Sequence, residues 1–194
     1  MRVGILGGSF DPVHQAHLIL AEQCREQGRL DQVLFVPAAR PPHKLDKILA
    51  PFHARQEMLE LAIAGYPAFQ ISLIEKDRPG PSYTLETLRE LKAERPADEL
   101  FLLLGSDCLP DLPTWHRPEG IAELAQLLVV ARTGTDSAAP PGYFRWERVE
   151  CPLLEISSTD LRRRVNQGRT IRYFVPRAVE CYIGQHRLYR SEAV

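Results

Sequence analysis

Hydrophobic residues along the chain occur either in short continuous runs or in longer stretches with helical spacing. The short runs predict buried strands at residues 3–6, 32–36, 69–74, 100–104 and 128–131. The longer stretches predict helices at 14–27, 52–64, 82–94, 121–127, 158–167 and 176–185. This alternation indicates an α/β fold with a doubly wound, mostly parallel sheet and a short C-terminal helical segment. Ligands of such sheets usually lie beyond the carboxyl ends of the strands.

The length of 194 residues predicts one domain of ordinary size, spanning 1–194, with residues 156–194 as its C-terminal helical part. Residues 133–142 are rich in Ala, Pro and Gly. We interpret them as a surface loop and not as a linker, because too little chain follows them to form a second domain.

The net charge of −1 conceals an uneven distribution. Residues 156–194 carry 8 arginines against 3 acidic residues, whereas the rest of the chain is acidic. Overall neutrality argues against nucleic acid as a bulk partner. The basic segment leaves open a local site for a small polyanion.

The chain shows no sign of export or membrane insertion. Its first residues form a strand-like segment without a basic or long apolar region, so we expect no signal peptide. Its longest apolar runs are too short to cross a bilayer. Four irregularly spaced cysteines predict reduced thiols and a cytoplasmic protein, and not a zinc or redox motif.

The junction between the first strand and the first helix carries the most informative chemistry. Gly7 and Gly8 allow backbone amides to approach a ligand, and the helix start that follows offers unpaired N–H groups suited to phosphate. His14 and His17 share one helix face, from which both can donate to phosphate oxygens. The segment matches neither the Walker loop nor the dinucleotide fingerprint, and no acidic residue completes a zinc site. The alternative is a pair of solvated or capping histidines.

This junction resembles the nucleotidyltransferases with a Gly-x-Phe-x-Pro-x-His-x-Gly-His signature, except that Ala16 replaces the usual second glycine. Within them, the chain is similar to the bacterial nicotinate-nucleotide adenylyltransferases. Further matching segments follow in the family's order: 36–44, Arg55 with Met58 and Leu59, 82–88, 105–117, 156–162 and 171–176. One such motif would be weak evidence, but six in order are specific.

The resemblance implies a Rossmann-like nucleotidyltransferase fold and adenylyl transfer from ATP to nicotinic acid mononucleotide. The products would be deamido-NAD and pyrophosphate, made for NAD biosynthesis with Mg²⁺ carried by the ATP phosphates. The implied partners are these small molecules, with no nucleic acid and no membrane, and the oligomeric state stays open. The implied catalytic residues are His14, His17, Lys44 and Arg162. The implied ATP-binding residues are Gly8, Ser9, Phe10, Gly105, Asp107, Ile156, Ser157, Ser158 and Thr159. The implied nicotinate-nucleotide-binding residues are Tyr83, Thr84, Trp115 and His116.

Several of these residues also have ordinary structural interpretations. Ser157, Ser158 and Thr159 suit a helix N-cap. Asp107 suits either a ribose or water-mediated Mg²⁺ contact or a helix N-cap, and Lys44 suits either a phosphate or solvent.

An exposed tryptophan in a loop, such as Trp115, indicates ligand stacking, which the resemblance assigns to the pyridine ring. The backbone amide of Thr84 at a helix start suits a carboxylate better than a carboxamide.

Three other functions remain as alternatives. The first is the same reaction on nicotinamide mononucleotide, alone or together with nicotinic acid mononucleotide. The second is phosphopantetheine adenylyl transfer, which the 82–84, Trp115 and 171–176 segments disfavour. The third is nucleotide sensing without catalysis, which the set of His14, His17, Lys44 and Arg162 disfavours.

Overall fold

A computed structural model describes residues 1–41, 50–132, 139–152 and 154–190, with only the backbone of Arg132. Within these ranges six strands form one parallel sheet in the order β3-β2-β1-β4-β5-β6. The strands are β1 (Arg2–Gly8), β2 (Gln32–Pro37), β3 (Phe69–Ile71), β4 (Glu99–Gly105), β5 (Ala125–Arg132) and β6 (Trp146–Cys151). The helices are α1 (Gln15–Gln27), α2 (Phe52–Ile63), α3 (Thr84–Glu94), α4 (Pro118–Leu124), α5 (Ser158–Asn166) and α6 (Arg177–Gln185). The predicted doubly wound α/β fold is confirmed.

The strand order reverses direction at β1. The chain places β2 and β3 on one side of β1, then crosses to place β4, β5 and β6 on the other. A doubly wound sheet opens a crevice at such a switch point, beyond the carboxyl ends of the two strands. The end of β1 at Gly8 and the end of β4 at Gly105 therefore mark where a ligand is expected.

Alternating side chains along each strand divide the core into two layers. In β4, Phe101 and Leu103 face the layer that contains residues of α1, α2, α5 and α6. Their neighbours Leu100, Leu102 and Leu104 face the layer built with α3 and α4. This two-residue period is that of a strand covered on both faces.

Several predicted boundaries differ from the structure, among them the start of α4, which lies at Pro118 and not at residue 121. Residues 125–127 belong to β5 and not to the preceding helix, because they pair with residues 100–102 of β4. Short apolar runs do not distinguish a strand from a buried helix end by spacing alone. The strand at 69–74 ends at Ile71, beyond which the Lys76 N–H closes a turn on the Leu73 carbonyl. The third helix begins at Thr84 and not at residue 82.

Two further expectations concern the loop at 133–142 and the absence of a membrane-spanning helix. Of the predicted loop at 133–142, residues 133–138 lie outside the described part of the chain. In the described residues, no helix is both long enough and apolar enough to cross a membrane.

A row of aromatic rings supports the first strand–helix junction. The ring of Phe35 in β2 is fully buried, 5.7 Å from the ring of Phe10 and 5.2 Å from that of Phe69. The ring of Phe10 in turn meets the ring of His17 edge-on at 5.1 Å. The position of His17 therefore depends on packing that reaches across two strands.

We expect Phe35→Ala to lower the free energy of unfolding by about 3–5 kcal/mol, because the truncation leaves a cavity beneath Phe10. Urea unfolding followed by circular dichroism measures this change. Leu61→Ala, at a side chain that is 39% exposed, is the control and should cost far less. Equal losses for the two variants would show that the aromatic row does not support the fold in this way.

Candidate active site

A cavity of about 400 Å³ opens at the carboxyl ends of β1 and β4. Its floor is apolar, with side chains from β1, β2 and β4, and its rim carries aromatic and polar groups. The predicted site residues that line it are Gly8, Ser9, Tyr83, Thr84, Trp115 and His116. The cavity therefore gathers the residues predicted for the nicotinate nucleotide, together with the end of β1.

The end of β1 requires a glycine because a ring packs directly against it. A Cβ atom on Gly8 would lie 3.1 Å from the Phe10 ring, which is itself 1% exposed. Phe10 has a positive φ of 46°, so the chain turns sharply between the strand and α1. This turn exposes the end of the strand while keeping the Phe10 side chain in the core.

His14 and His17 lie together at the start of α1. Their rings stack with centroids 3.7 Å apart at an angle of 24°. The His14 backbone N–H donates to Nδ1 of His17 over 3.2 Å. Since Nδ1 of His17 accepts this bond, the proton of the neutral ring is on Nε2. His17 thus carries its ring proton on Nε2, the nitrogen that does not bond the His14 N–H.

The alternative was a pair of solvated or capping histidines. For His14, solvation is wrong and capping is confirmed. His14 is the N-cap residue of α1 and is only 5% exposed. Burial lowers the pKa of its imidazole from 6.5 to about 4, so the ring is neutral near pH 7.

The first turn of α5 docks onto the same junction. Ser157 caps the helix, with its side-chain oxygen accepting from the Asp160 N–H over 3.1 Å. The Ser158 hydroxyl donates to the Pro12 carbonyl over 2.9 Å. Nη1 of Arg162 donates to the Asp11 carbonyl over 2.7 Å. These bonds bring the predicted Arg162 and the helix start at 157–159 to the loop that carries His14.

The neighbouring arginines have other partners. Nε of Arg164 donates to the Thr170 carbonyl, and its guanidinium lies over the Phe174 ring. The largely exposed Arg163 pairs with Asp160. Among the described residues, Arg162 is thus the arginine of this run that bonds the junction.

The aromatic rim of the cavity is built by two loops. The rings of Tyr83 and His116 stack with centroids 4.5 Å apart. Trp115 ends a 3-10 turn, Leu112–Thr114, and packs partly against the core. It was expected to be exposed and is instead half-buried, because Leu112 anchors its turn in the core. The Trp115 side chain still lines the cavity.

Helix α3 begins at the cavity without a side-chain cap. Tyr83 is the N-cap residue in an extended conformation, and Thr84 is the first helical residue. In the described residues, neither the Thr84 nor the Leu85 N–H has an acceptor. Two amides at the positive end of an 11-residue helix therefore remain available to an anion.

Three other predicted residues lie apart from these groups. Asp107 does not cap a helix as one interpretation held, because Gly105 is the residue that precedes the 3-10 turn Ser106–Cys108. The exposed Asp107 carboxylate lies against Gly105, at the end of β4. Ile156 packs partly against the core just before α5. Lys44 lies outside the described residues.

Sequence reasoning missed two buried polar groups beside this site. Arg55 was noted only as a motif match, yet its side chain bonds the carbonyls of Ser9, Ala38 and Ala50. Asp11 is fully buried, and its Oδ1 accepts from the Tyr189 hydroxyl over 2.6 Å. A carboxylate between Phe10 and Pro12, in a segment 7–18 with no other acidic residue, was the signal that could have found Asp11.

A third buried polar group lies under the aromatic rim. The Thr87 hydroxyl of α3 donates to Oε1 of Glu75 over 2.5 Å and accepts from Nη1 of Arg78 over 2.9 Å. These bonds fasten the segment before Tyr83 to the first turns of α3. They therefore help to hold the cavity rim in place.

Comparison with known proteins identifies the family and the fold of the chain. Residues 5–164 match the model of the cytidylyltransferase-like family. A solved structure titled Plasmodium falciparum nicotinic acid mononucleotide adenylyltransferase complexed with NaAD has the same fold. Its TM-score is 0.78 at 22% identity, and 97% of each chain is covered. The chain thus belongs to the cytidylyltransferase-like family and shares the fold of that structure.

Two curated relatives narrow the family further. Both are named probable nicotinate-nucleotide adenylyltransferase. One from Thermus thermophilus is 50% identical, covering 98% of this chain and all of the relative. The one from Thermomicrobium roseum is 48% identical, covering 98% of this chain and 92% of the relative. The chain belongs to the nicotinate-nucleotide adenylyltransferase family, which confirms the resemblance seen in the sequence.

The buried His14 makes the stability of the protein depend on pH. Its folded pKa of about 4 lies below the unfolded value of 6.5, so the unfolded chain binds the proton more tightly. Its stabilising contribution is complete above pH 6.5 and is lost as the pH falls towards 4, by at most about 3 kcal/mol. Urea unfolding of the wild type and of His14→Gln across this pH range measures the effect.

The difference in unfolding free energy between wild type and His14→Gln should shrink as the pH falls. His53→Gln, at an exposed position on α2, is the matched control and should change the free energy of unfolding little. A pH-independent difference for His14→Gln would refute the buried neutral imidazole.

Proposed function

We propose that this protein transfers the adenylyl group of ATP to nicotinic acid mononucleotide, releasing pyrophosphate and forming deamido-NAD for NAD biosynthesis. One observation carries the proposal. The aromatic cavity and the helix start that carries both histidines adjoin the same strand end, with Gly8 and Ser9 lining the cavity and His14 six residues further along. A site of this shape can hold two nucleotides with their phosphates side by side.

The reaction needs positioning and charge stabilisation more than covalent catalysis. A phosphate oxygen of the mononucleotide attacks the α-phosphorus of ATP, and the bond to the β-phosphate oxygen breaks in line as pyrophosphate leaves. Both substrates are polyanions, so the site must offset their repulsion while holding them in contact. The residues that we assign to this task are cations and hydrogen-bond donors.

We assign the phosphates to the junction between β1 and α1. His17 offers its Nε2–H to the transferring phosphate, and the neutral His14 supports the His17 ring by stacking. Arg162 lies against the Asp11 carbonyl with its side chain 24% exposed, so it supplies a partly desolvated positive charge. We retain Lys44 as a further phosphate ligand on the strength of its motif alone.

The other proposed ATP contacts lie at the ends of β1 and β4 and at the start of α5. Gly8, Ser9 and Phe10 form the turn beneath the phosphates. Gly105 and Asp107 at the end of β4 would meet the ribose. Ile156, Ser157, Ser158 and Thr159 would flank the rest of the nucleotide at the start of α5.

Mg²⁺ is proposed to enter as the ATP complex. Among the described residues, no three His, Cys, Asp or Glu side chains come together to hold a metal ion. The donors at the start of α1 are nitrogen atoms, whereas Mg²⁺ prefers oxygen, so the phosphate oxygens are the fitting ligands. Bound there, the ion would neutralise part of the triphosphate charge.

The pyridine ring fits the aromatic end of the cavity. Trp115 offers an apolar face at the rim, and the stacked pair of Tyr83 and His116 closes the adjacent wall. The open Thr84 and Leu85 amides at the start of α3 suit the nicotinate carboxylate. This is the physical basis for proposing nicotinate over nicotinamide.

The packing of the C-terminal helices also supports a single domain spanning 1–194. Leu161 of α5 and Val179 of α6 are fully buried in the same core layer as Phe35 and Phe101. The C-terminal helices are thus part of the fold that holds the phosphate end.

The function is tested by mixing the purified protein with Mg²⁺, ATP and one acceptor, and following pyrophosphate. We expect release with nicotinic acid mononucleotide and much slower release with nicotinamide mononucleotide or phosphopantetheine. Faster release with either of the latter would replace the proposed acceptor. ATP binding without pyrophosphate release from any acceptor would instead support a sensor.

His17→Ala should lower kcat by about 10²-fold or more, because it removes one donor to the transition state. The measurement is a steady-state comparison with His53→Ala, an exposed histidine on α2 that should leave kcat unchanged. A loss confined to KM would show that His17 binds substrate and transition state equally.

A further inference from the structure

The carboxylate of Asp11 lies at the centre of a buried cluster behind the proposed phosphate site. Asp11 is 0% exposed and stands between Phe10 and Pro12, in the turn that leads to His14. Its Oδ1 accepts from the Tyr189 hydroxyl over 2.6 Å and from the Ala50 N–H over 3.3 Å. Its Oδ2 has no hydrogen-bond partner among the described residues.

Arg162 contacts the same residue from helix α5. Its Nη1 donates to the Asp11 carbonyl over 2.7 Å and lies 3.7 Å from Oδ2 of the carboxylate. Its Nη2 donates to Oγ1 of Thr159 over 3.2 Å. The direction of the Arg162 guanidinium is therefore set by Asp11 and by the first turn of α5.

Tyr189 lies 178 residues away in sequence and outside the region that the family model matches. Its backbone has a positive φ of 64°, and its side chain packs against the core layer of α1 and α6. Burial and the Asp11 charge raise the pKa of Tyr189, so its hydroxyl stays protonated and remains a donor.

We propose that Tyr189 is a positioning residue for adenylyl transfer, whose hydroxyl fixes Asp11 and thereby aims Arg162 at the phosphates. The inference rests on the proposed function of this site. A buried carboxylate that loses its donor must find another partner. The partner at hand is the guanidinium of Arg162, which would then turn inward, away from the substrate.

Tyr189→Phe removes only the hydroxyl and keeps the packed ring. Because a small misplacement of a charged group is costly in the transition state, we expect kcat to fall by about tenfold. The KM for nicotinic acid mononucleotide should change little, since its base binds at the other end of the site. The melting temperature is recorded alongside, so that kinetics are compared where both proteins are folded.

Tyr66→Phe is the matched control. The Tyr66 hydroxyl also donates to a carboxylate, that of Glu22 over 2.9 Å, but on the surface between α1 and β3. Tyr66→Phe should therefore leave kcat unchanged. An equal kcat for Tyr189→Phe and the wild type, or an equal fall in both tyrosine variants, would overturn the proposal.

A double-mutant cycle with Asp11→Asn tests whether Tyr189 acts through Asp11. If Tyr189 acts through Asp11, Tyr189→Phe should have a smaller effect on kcat when combined with Asp11→Asn than in the wild type. Additive effects would overturn the proposal. An inactive wild type would refute the proposed function itself, which the pyrophosphate assay detects before any variant is made.

Discussion

The buried guanidinium of Arg55 is the contact on which the rest of the site depends. Arg55 is 2% exposed, yet its Nη1 donates to the carbonyls of Ser9 and Ala38, and its Nε donates to that of Ala50. These three carbonyls belong to the loop after β1, the loop after β2 and the approach to α2. A buried charge is tolerated only when its donors are satisfied. One side chain therefore fixes three loops relative to one another.

This arrangement brings the two ends of the proposed site to one strand end. With the loop after β1 held from below by Arg55, Phe10 can insert into the core while Gly8 and Ser9 remain at the cavity. The start of α1 then presents His17 at the far end of the same turn. Arg162 and Ser158 complete that side by bonding the carbonyls of Asp11 and Pro12. The phosphate end and the aromatic end are thus positioned by the same few backbone groups.

Much of the fold could be predicted from the sequence because strand periodicity is local. The continuous run at Leu100–Leu104 allowed a buried central strand to be recognised without knowing its neighbours. The boundary at Ala125 could not be recognised, since only pairing with β4 makes those residues a strand. The order of the strands, with β1 next to β4, likewise depends on contacts across the chain.

The site residues show the same division between local and distant information. His14, His17 and Arg162 stood out because their motifs are contiguous. The burial of His14, which lowers its pKa, depends on core packing that no motif records. The pairing of Asp11 with Tyr189 joins residues 178 positions apart, so neither could be assigned a role from its own segment.

We propose that the pyridine end and the phosphate end of the site adjoin at Gly8. A crystal structure with bound deamido-NAD is the sharpest test. We expect the pyridine ring in the cavity beside Trp115, with the phosphates at the start of α1 next to Gly8 and His17. A dinucleotide bound in the reverse direction, with its adenine beside Trp115, would contradict it. So would phosphates bound away from the start of α1.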